Sequence, residues 1–274
     1  MNPLVSVTWL KENLNKSNLI VLDSSLDKTV SGSVSKFKDL TIPTARYFDL
    51  KSHFSDTKSP FPNTMPTKAQ FEKECQKLGI NKSSELIVFD NQGIYSSPRV
   101  WWMFKIMGHH SVKVLDGGLV EWVNKGFPTE KRTQKTFNQG DFIATLNKDY
   151  IIDFNTVKQN TLQHNFTLID ARSKERFEGI ANEPRKTLKS GKIKGSVNLP
   201  FKDVLSKGKY KSKAELKALF ENNCNYNDKL VFSCGSGLTA CIVLLACEIG
   251  FKKSPFVYDG SWTEWATKNS LTVD

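Results

Sequence analysis

The chain carries one ordered set of short motifs twice, and that repetition constrains its fold more than any other feature. "LIVLDSSL" (Leu19–Leu26) answers to "TLIDARSK" (Thr167–Lys174), and "IPTARYFDL" (Ile42–Leu50) to "IKGSVNLPF" (Ile193–Phe201). "LIVFDNQG" (Leu86–Gly93) answers to "KLVFSCGS" (Lys229–Ser236). Last, "VKVLDGGLVEWVNKG" (Val112–Gly126) answers to "SPFVYDGSWTEWATKN" (Ser254–Asn269), each placing Asp-Gly after an apolar run and Glu-Trp in a short helical pattern. Four matches in one order, about half a chain apart, indicate a tandem duplication. A polar, unmatched stretch beginning "EKRTQKTFNQGDF" separates the copies. The expected division is residues 1–130, a linker at 131–149, and residues 150–274.

Within the second copy "TLID", "VNLP", "LVFS" and "PFVY" read as buried strands, while "KAELKALFENN" and "LTACIVLLACEIG" have helical length and spacing. Strands alternating with helices imply parallel pairing with helices on both faces, so each copy is expected to be a small doubly wound α/β domain. In such sheets ligands gather beyond the carboxyl ends of the strands.

That address is occupied by Cys234, which follows "LVFS" and precedes a helical run. The glycine-rich turn "CGSGLTA" gives the backbone freedom to curl, through Gly235 and Gly237, so that helix-start N–H groups form an anion-holding nest. Ser236 and Thr239 add hydroxyls. A cysteine there is expected as thiolate, with a pKa pulled from about 8.5 toward roughly 4–7. A cysteine in a cradle also serves phosphatases, whose loop ends in arginine six residues on; here that residue is Ala240, which leaves no bidentate clamp for a phosphoryl dianion. Cys241 and Cys247, inside the apolar run, read as core residues, and Cys75 and Cys224 as incidental.

Composition narrows the classes further. The net charge is +11, yet the lysines are scattered with no basic tract, which favours a solvated surface over nucleic-acid binding. Five cysteines without regular spacing argue against a disulfide framework or a zinc site, so no metal is expected. No stretch approaches the roughly 18 apolar residues of a membrane span. "MNPLVSVTWLKENL" has no basic-then-apolar leader, so a cytoplasmic, membrane-free protein is expected.

The loop "CGSGLTA", with "SPRVWWMFKIMGHHSVKVLDGGLVEW" and "RFEGIANEPRKTLKSGKIKGSVNLP", resembles the two-domain sulfurtransferases of the rhodanese type over nearly the whole chain. Within that family the loop is most similar to the "CGSGVTA" loop of 3-mercaptopyruvate sulfurtransferases; thiosulfate-specific relatives carry basic residues after the cysteine. The resemblance implies two tandem rhodanese-like domains, the second catalytic. It implies that Cys234 accepts sulfur as a persulfide and that Ser236 assists proton movement. Arg176 and Arg185 would hold the donor's carboxylate, and Gly235, Gly237, Leu238 and Thr239 would line the substrate site. No cofactor is implied. The implied partners are a small sulfur donor and a thiol acceptor, including a thioredoxin-like protein or cyanide, with the chain a monomer. Thiosulfate as donor, or a persulfide carrier without turnover, are the alternatives.

The family's Asp and His beside the loop serine do not recur: Lys51 and Asn63 stand at those positions in "FDLKSHFSDTKSPFPNTMP". His53 and Asp56 nearby read as a solvated loop, and water or the donor's own thiol is left to move the proton. Asp170 and Arg172 read as a bracing pair, and His109 and His110 as structural. The first copy places Asn91 opposite Cys234, so it cannot form a persulfide there.

Overall fold

In the computed structural model, which describes residues 2–270, the chain divides into two units. The first gathers the chain up to Asp56, Met65–Asn147 and Lys207–Tyr210. The second gathers Thr57–Thr64, Lys148–Ser206 and the chain from Lys211 onward.

Each unit is built on a five-stranded parallel sheet. Across the first, the order is Leu4–Val5, Val112–Leu115, Glu85–Phe89, Leu19–Asp23 and Arg46–Tyr47. Across the second it is Ile151–Ile152, Phe256–Tyr258, Leu230–Ser233, Thr167–Asp170 and Val197–Asn198. Taken in chain order both sheets read first, fifth, fourth, second, third, so the duplication seen in the motifs is a duplication of topology. Leu19–Asp23 and Leu230–Ser233 are buried at every residue, as strands covered on both faces must be.

Apolar stripes fix the helices onto these sheets. In the first unit Val7, Leu10, Leu119 and Trp122 from two helices join Val21, Ile87 and Leu115 of the sheet in one core. In the second, Val157, Trp262 and Trp265 close on Leu168, Val231 and Tyr258. Starts are capped by hydroxyls and carboxylates: Thr67 accepts from the Gln70 amide, Asp153 from Thr156, and Ser212 forms a capping box with Glu215. The helix Ala240–Gly250 is apolar around nearly its whole circumference and correspondingly buried. It packs on Lys213–Glu221 so closely that a β-carbon on Gly250 would stand 2.4 Å from that of Leu216.

The polar stretch expected as a linker is strapped to the first unit up to Asn147. Phe142 is buried against the rings of Phe71, Phe104 and His109. The amides of Thr145 and Asn147 donate to Met107 and Ile106 carbonyls, and the Ala144 amide to Glu72. One buried aromatic in a polar run is enough to anchor it. His109 bonds the Ser84 carbonyl at 3.0 Å, and burial pulls its pKa down, consistent with a structural imidazole. Cys75, read from the sequence as incidental, is fully buried with Phe71 on the inner face of its helix.

Candidate functional site

In the second unit the strands Thr167–Asp170 and Leu230–Ser233 are neighbours, and the connections leaving their carboxyl ends go to opposite sides of the sheet. Such a switch point opens a crevice between diverging loops. Cys234 is the first residue past one strand and Ala171 the first past the other. Four small residues within Gly235–Thr239 then carry the chain into the helix beginning at Ala240.

The loop is held from outside by the segment after Tyr258. Ser261 Oγ accepts from the amides of Cys234 and Gly237, both at 3.1 Å, and donates to the Tyr258 carbonyl at 2.8 Å. The Trp262 amide donates to the Cys234 carbonyl, and the amide and hydroxyl of Thr263 both donate to that of Gly235. Gly237 sits at φ 76°, where a side chain would be strained. Ser261, at φ 51°, accepts that strain and is fully buried, so its hydroxyl is held in place by its neighbours. With two loop amides tied to Ser261, those of Gly235, Ser236, Leu238 and Thr239 have no acceptor among the described residues. A buried sulfur at the head of this loop therefore has donors to spare beside it, together with the helix N-terminus.

A network of buried charge borders the loop. Arg172 forks onto Asp170 (Nη2–Oδ2 2.7 Å, Nε–Oδ2 3.0 Å), reaches Glu183 through Nη1 at 2.9 Å, and lies over the Trp262 ring at 4.4 Å. The bracing pair read from the sequence is present. Burial disfavours the Arg172 charge, but Asp170 and Glu183 outweigh it and the guanidinium pKa is raised. Arg176 forks onto the same Glu183 carboxylate, Nη2 donating to Oε2 at 2.6 Å and Nε, at 3.2 Å, to the Oε1 that also accepts from Arg172. Arg176 keeps 21% of its side chain exposed, against 1% for Glu183, and its Nη1 has no hydrogen bond to any described residue. A β-carbon on Gly235 would stand 3.0 Å from Arg176 Nη2, so the missing side chain there is what lets the guanidinium approach the loop. Glu183, inside "RFEGIANEPR", was not singled out from sequence; a carboxylate between two candidate arginines was the available signal. Arg185 lies two residues beyond it, half-buried in a turn closed by the Leu188 amide.

The loop serine has a partner from the distant arm Thr57–Thr64. Asn63 Nδ2 donates to Ser236 Oγ at 2.9 Å and to the Ser236 carbonyl at 3.2 Å. Asn63, a departure at the level of sequence, thus meets the loop. Lys51 and His53 are exposed on the first unit, in a turn wound about Asp49, whose carboxylate accepts the amides of Lys51 and Ser52. Leu238 and Thr239 turn the chain into the helix, their carbonyls accepting from Cys241 and Ile242.

The matching loop of the first unit is filled by its own side chain. Asp90 Oδ2 accepts from the amides of Tyr95, Ser96 and Ser97 and from Ser97 Oγ, at 2.7–3.0 Å, and Oδ1 from the Gln92 amide. Where Cys234 stands in the second copy, Asn91 is buried. Gly118 occupies the place of Ser261 with φ 52°; a β-carbon there would be 2.4 Å from the Asp90 carbonyl oxygen. Equivalent loops thus take different acceptors, one internal and one from the far segment. Among the described residues no group of three His, Cys, Asp or Glu side chains is placed to hold a metal, and no helix is long and apolar enough to cross a membrane.

A family profile described as "Rhodanese-like domain" matches residues 6–125 and 154–268. The chain is 38% identical to 3-mercaptopyruvate sulfurtransferase of Mus musculus and 36% identical to thiosulfate sulfurtransferase of the same species. Each alignment spans 96% of this chain and 91% of the relative. Among solved structures it is similar to SseA from Escherichia coli, described as a 3-mercaptopyruvate sulfotransferase: 30% identity, TM-score 0.82, covering 96% of this chain and 99% of the other.

Proposed function

The chain belongs to the rhodanese family, in two domain copies, and from that premise we propose that it is a sulfurtransferase that takes sulfur from 3-mercaptopyruvate onto Cys234 and passes it to a thiol or cyanide. The observation that carries the reading is the loop Cys234–Thr239, with four amides lacking an internal acceptor beside one buried thiol.

The first step is attack of the Cys234 thiolate on the donor sulfur. The new S–S bond forms as the donor's C–S bond breaks, and the electron pair goes to carbon as the enolate of pyruvate. The donor's thiol proton, now on the outer sulfur, is the proton that carbon needs. Ser236 can give its own proton to carbon and take that one in return, leaving an anionic persulfide and pyruvate. Loop amides stabilise the thiolate before the step and the outer sulfur after it. A thiolate acceptor then attacks the outer sulfur and leaves with it, restoring the Cys234 thiolate.

Arg176, held through Nε and Nη2 by Glu183, has Nη1 to offer a carboxylate, and Arg185 is its intended companion. Gly235, Gly237, Leu238 and Thr239 form the wall against which the donor lies. Gly235 and Ser236 provide donors without charge beside the thiol, which suits a monoanionic keto-thiol anchored at a distance better than a dianion. In this reading residues 1–130 are the non-catalytic domain except for the arm Thr57–Thr64, which reaches the loop serine, 131–149 the connection and 150–274 the catalytic domain. All five cysteines are unpaired, which suits a reducing compartment; a cytoplasmic monomer serving a thioredoxin-like acceptor completes the proposal.

A second reading, thiosulfate as the main donor, is favoured by the near-equal likeness to enzymes of both names. Comparing kcat/KM on the two donors decides. A larger value on 3-mercaptopyruvate, abolished in Cys234→Ala, supports the first reading; a larger value on thiosulfate replaces it with the second.

A further inference from the structure

The arm that reaches Ser236 is built to hold one side chain still. Pro60 and Pro62 restrict its backbone, and Thr64 Oγ1 donates to the Phe61 carbonyl at 2.7 Å while lying 2.9 Å from Ser59 Oγ. The Phe61 ring lies 5.8 Å from the Lys268 ammonium. At the tip, Asn63 takes a left-handed backbone, φ 61°, which asparagine tolerates better than most residues, and is 6% exposed.

Its amide orientation is decided by chemistry. A carbonyl oxygen can only accept, so the atom 3.2 Å from the Ser236 carbonyl must be Nδ2, and the same nitrogen then donates to Ser236 Oγ. A serine hydroxyl has one proton and two lone pairs. With a lone pair taken by Asn63, and no proton acceptable to that nitrogen, the Ser236 proton is turned away from the arm.

We propose that Asn63 is a positioning residue that makes Ser236 a one-way hydrogen-bond donor toward the reacting donor molecule, in place of a titrating relay. This deepens the sulfurtransferase reading and rests on it. An amide neither gains nor loses a proton near neutrality, so this contact adds no titration to the reaction. The charged and titratable groups around it are Cys234 in the same loop, Arg176 with Glu183 beside Gly235, Lys268 with Glu264 near Phe61, and Lys58 on the arm.

The two donors separate this role from a structural one. Sulfur leaves 3-mercaptopyruvate with an electron pair going to carbon, which must be protonated. Thiosulfate leaves as sulfite, which needs no proton: the Cys234 thiolate bonds the outer sulfur, the S–S bond of thiosulfate breaks, and sulfite keeps the pair. Asn63→Ala is therefore expected to lower kcat on 3-mercaptopyruvate about tenfold, less than the roughly 10²–10⁴-fold of losing a general acid outright because Ser236 itself remains, and to leave thiosulfate turnover within about twofold. Asn63→His places an imidazole on Ser236 and is expected to add a limb near pH ~6.5 to the kcat/KM profile on 3-mercaptopyruvate alone. Equal losses on both donors, no loss on either, or no added limb in Asn63→His would overturn the role. Wild-type enzyme that turns over thiosulfate but not 3-mercaptopyruvate overturns the parent reading instead, and the positioning role falls with it.

Discussion

Replacing Ser261 with alanine removes one oxygen and leaves two buried amides, those of Cys234 and Gly237, without this acceptor, and the Tyr258 carbonyl without this donor. An unsatisfied buried N–H costs about 1–3 kcal/mol, so two of them predict a loss of about 2–6 kcal/mol if the loop keeps its shape. If the loop relaxes instead, part of that cost is recovered and the cradle deforms. Ser261→Gly suffers the same loss of bonds but relieves the left-handed strain at φ 51°, which is worth about 1 kcal/mol. The glycine variant should therefore be the more stable of the two, although it cannot restore the loop. Urea unfolding followed by tryptophan fluorescence gives the stabilities, with Trp262 adjacent to the change. Stopped-flow persulfide formation gives the loop's function, expected to fall in both variants. An alanine variant within about 0.5 kcal/mol of the parent, the range of an ordinary surface change, would refute the reasoning. So would a glycine variant less stable than alanine.

Further outcomes follow from the same geometry. Arg176→Lys keeps the charge but loses the fork on Glu183; the KM for 3-mercaptopyruvate should rise about tenfold with a smaller change in kcat, read from initial rates. Asp90→Asn puts an amide where four donors converge on one oxygen; unfolding should show a loss of about 2–4 kcal/mol, with turnover per folded molecule unchanged. Burial pushes Cys224 up to about 11 and Cys247 up to about 12, so iodoacetamide at pH 8 should label Cys234 before either, as peptide mapping would reveal. Both thiols keep their protons longer in the folded chain than in the unfolded one. Stability should therefore decline as pH rises from about 9 toward 11–12, measurable as a falling urea midpoint.

How much of this was legible beforehand depended on how far each contact reaches along the chain. The strands "TLID", "LVFS" and "PFVY" and the helix after Cys234 were set by local periodicity, and they stand where the sequence placed them. The duplication made the shared strand order expected, because equal motifs in equal order fold alike. The two-residue edge strand Ile151–Ile152 gave too short a pattern to stand out. Asn63 was visible as a departure, but its bond to Ser236 spans 173 residues and no local pattern encodes it. Ser261 had a signal that went unused: the aligned "DGG" and "DGS" put a serine where the first copy has a left-handed glycine. A residue that accepts backbone strain is worth asking what its side chain does.

Peptide-level mass spectrometry of the unmodified protein, treated with 3-mercaptopyruvate in the absence of an acceptor, tests the central claim most directly. One added sulfur atom on the peptide containing Cys234, with none on those containing Cys75, Cys224, Cys241 or Cys247 and pyruvate released in equal amount, is the expected result. Pyruvate released while Cys234 stays unmodified, or sulfur carried on another cysteine, would contradict it.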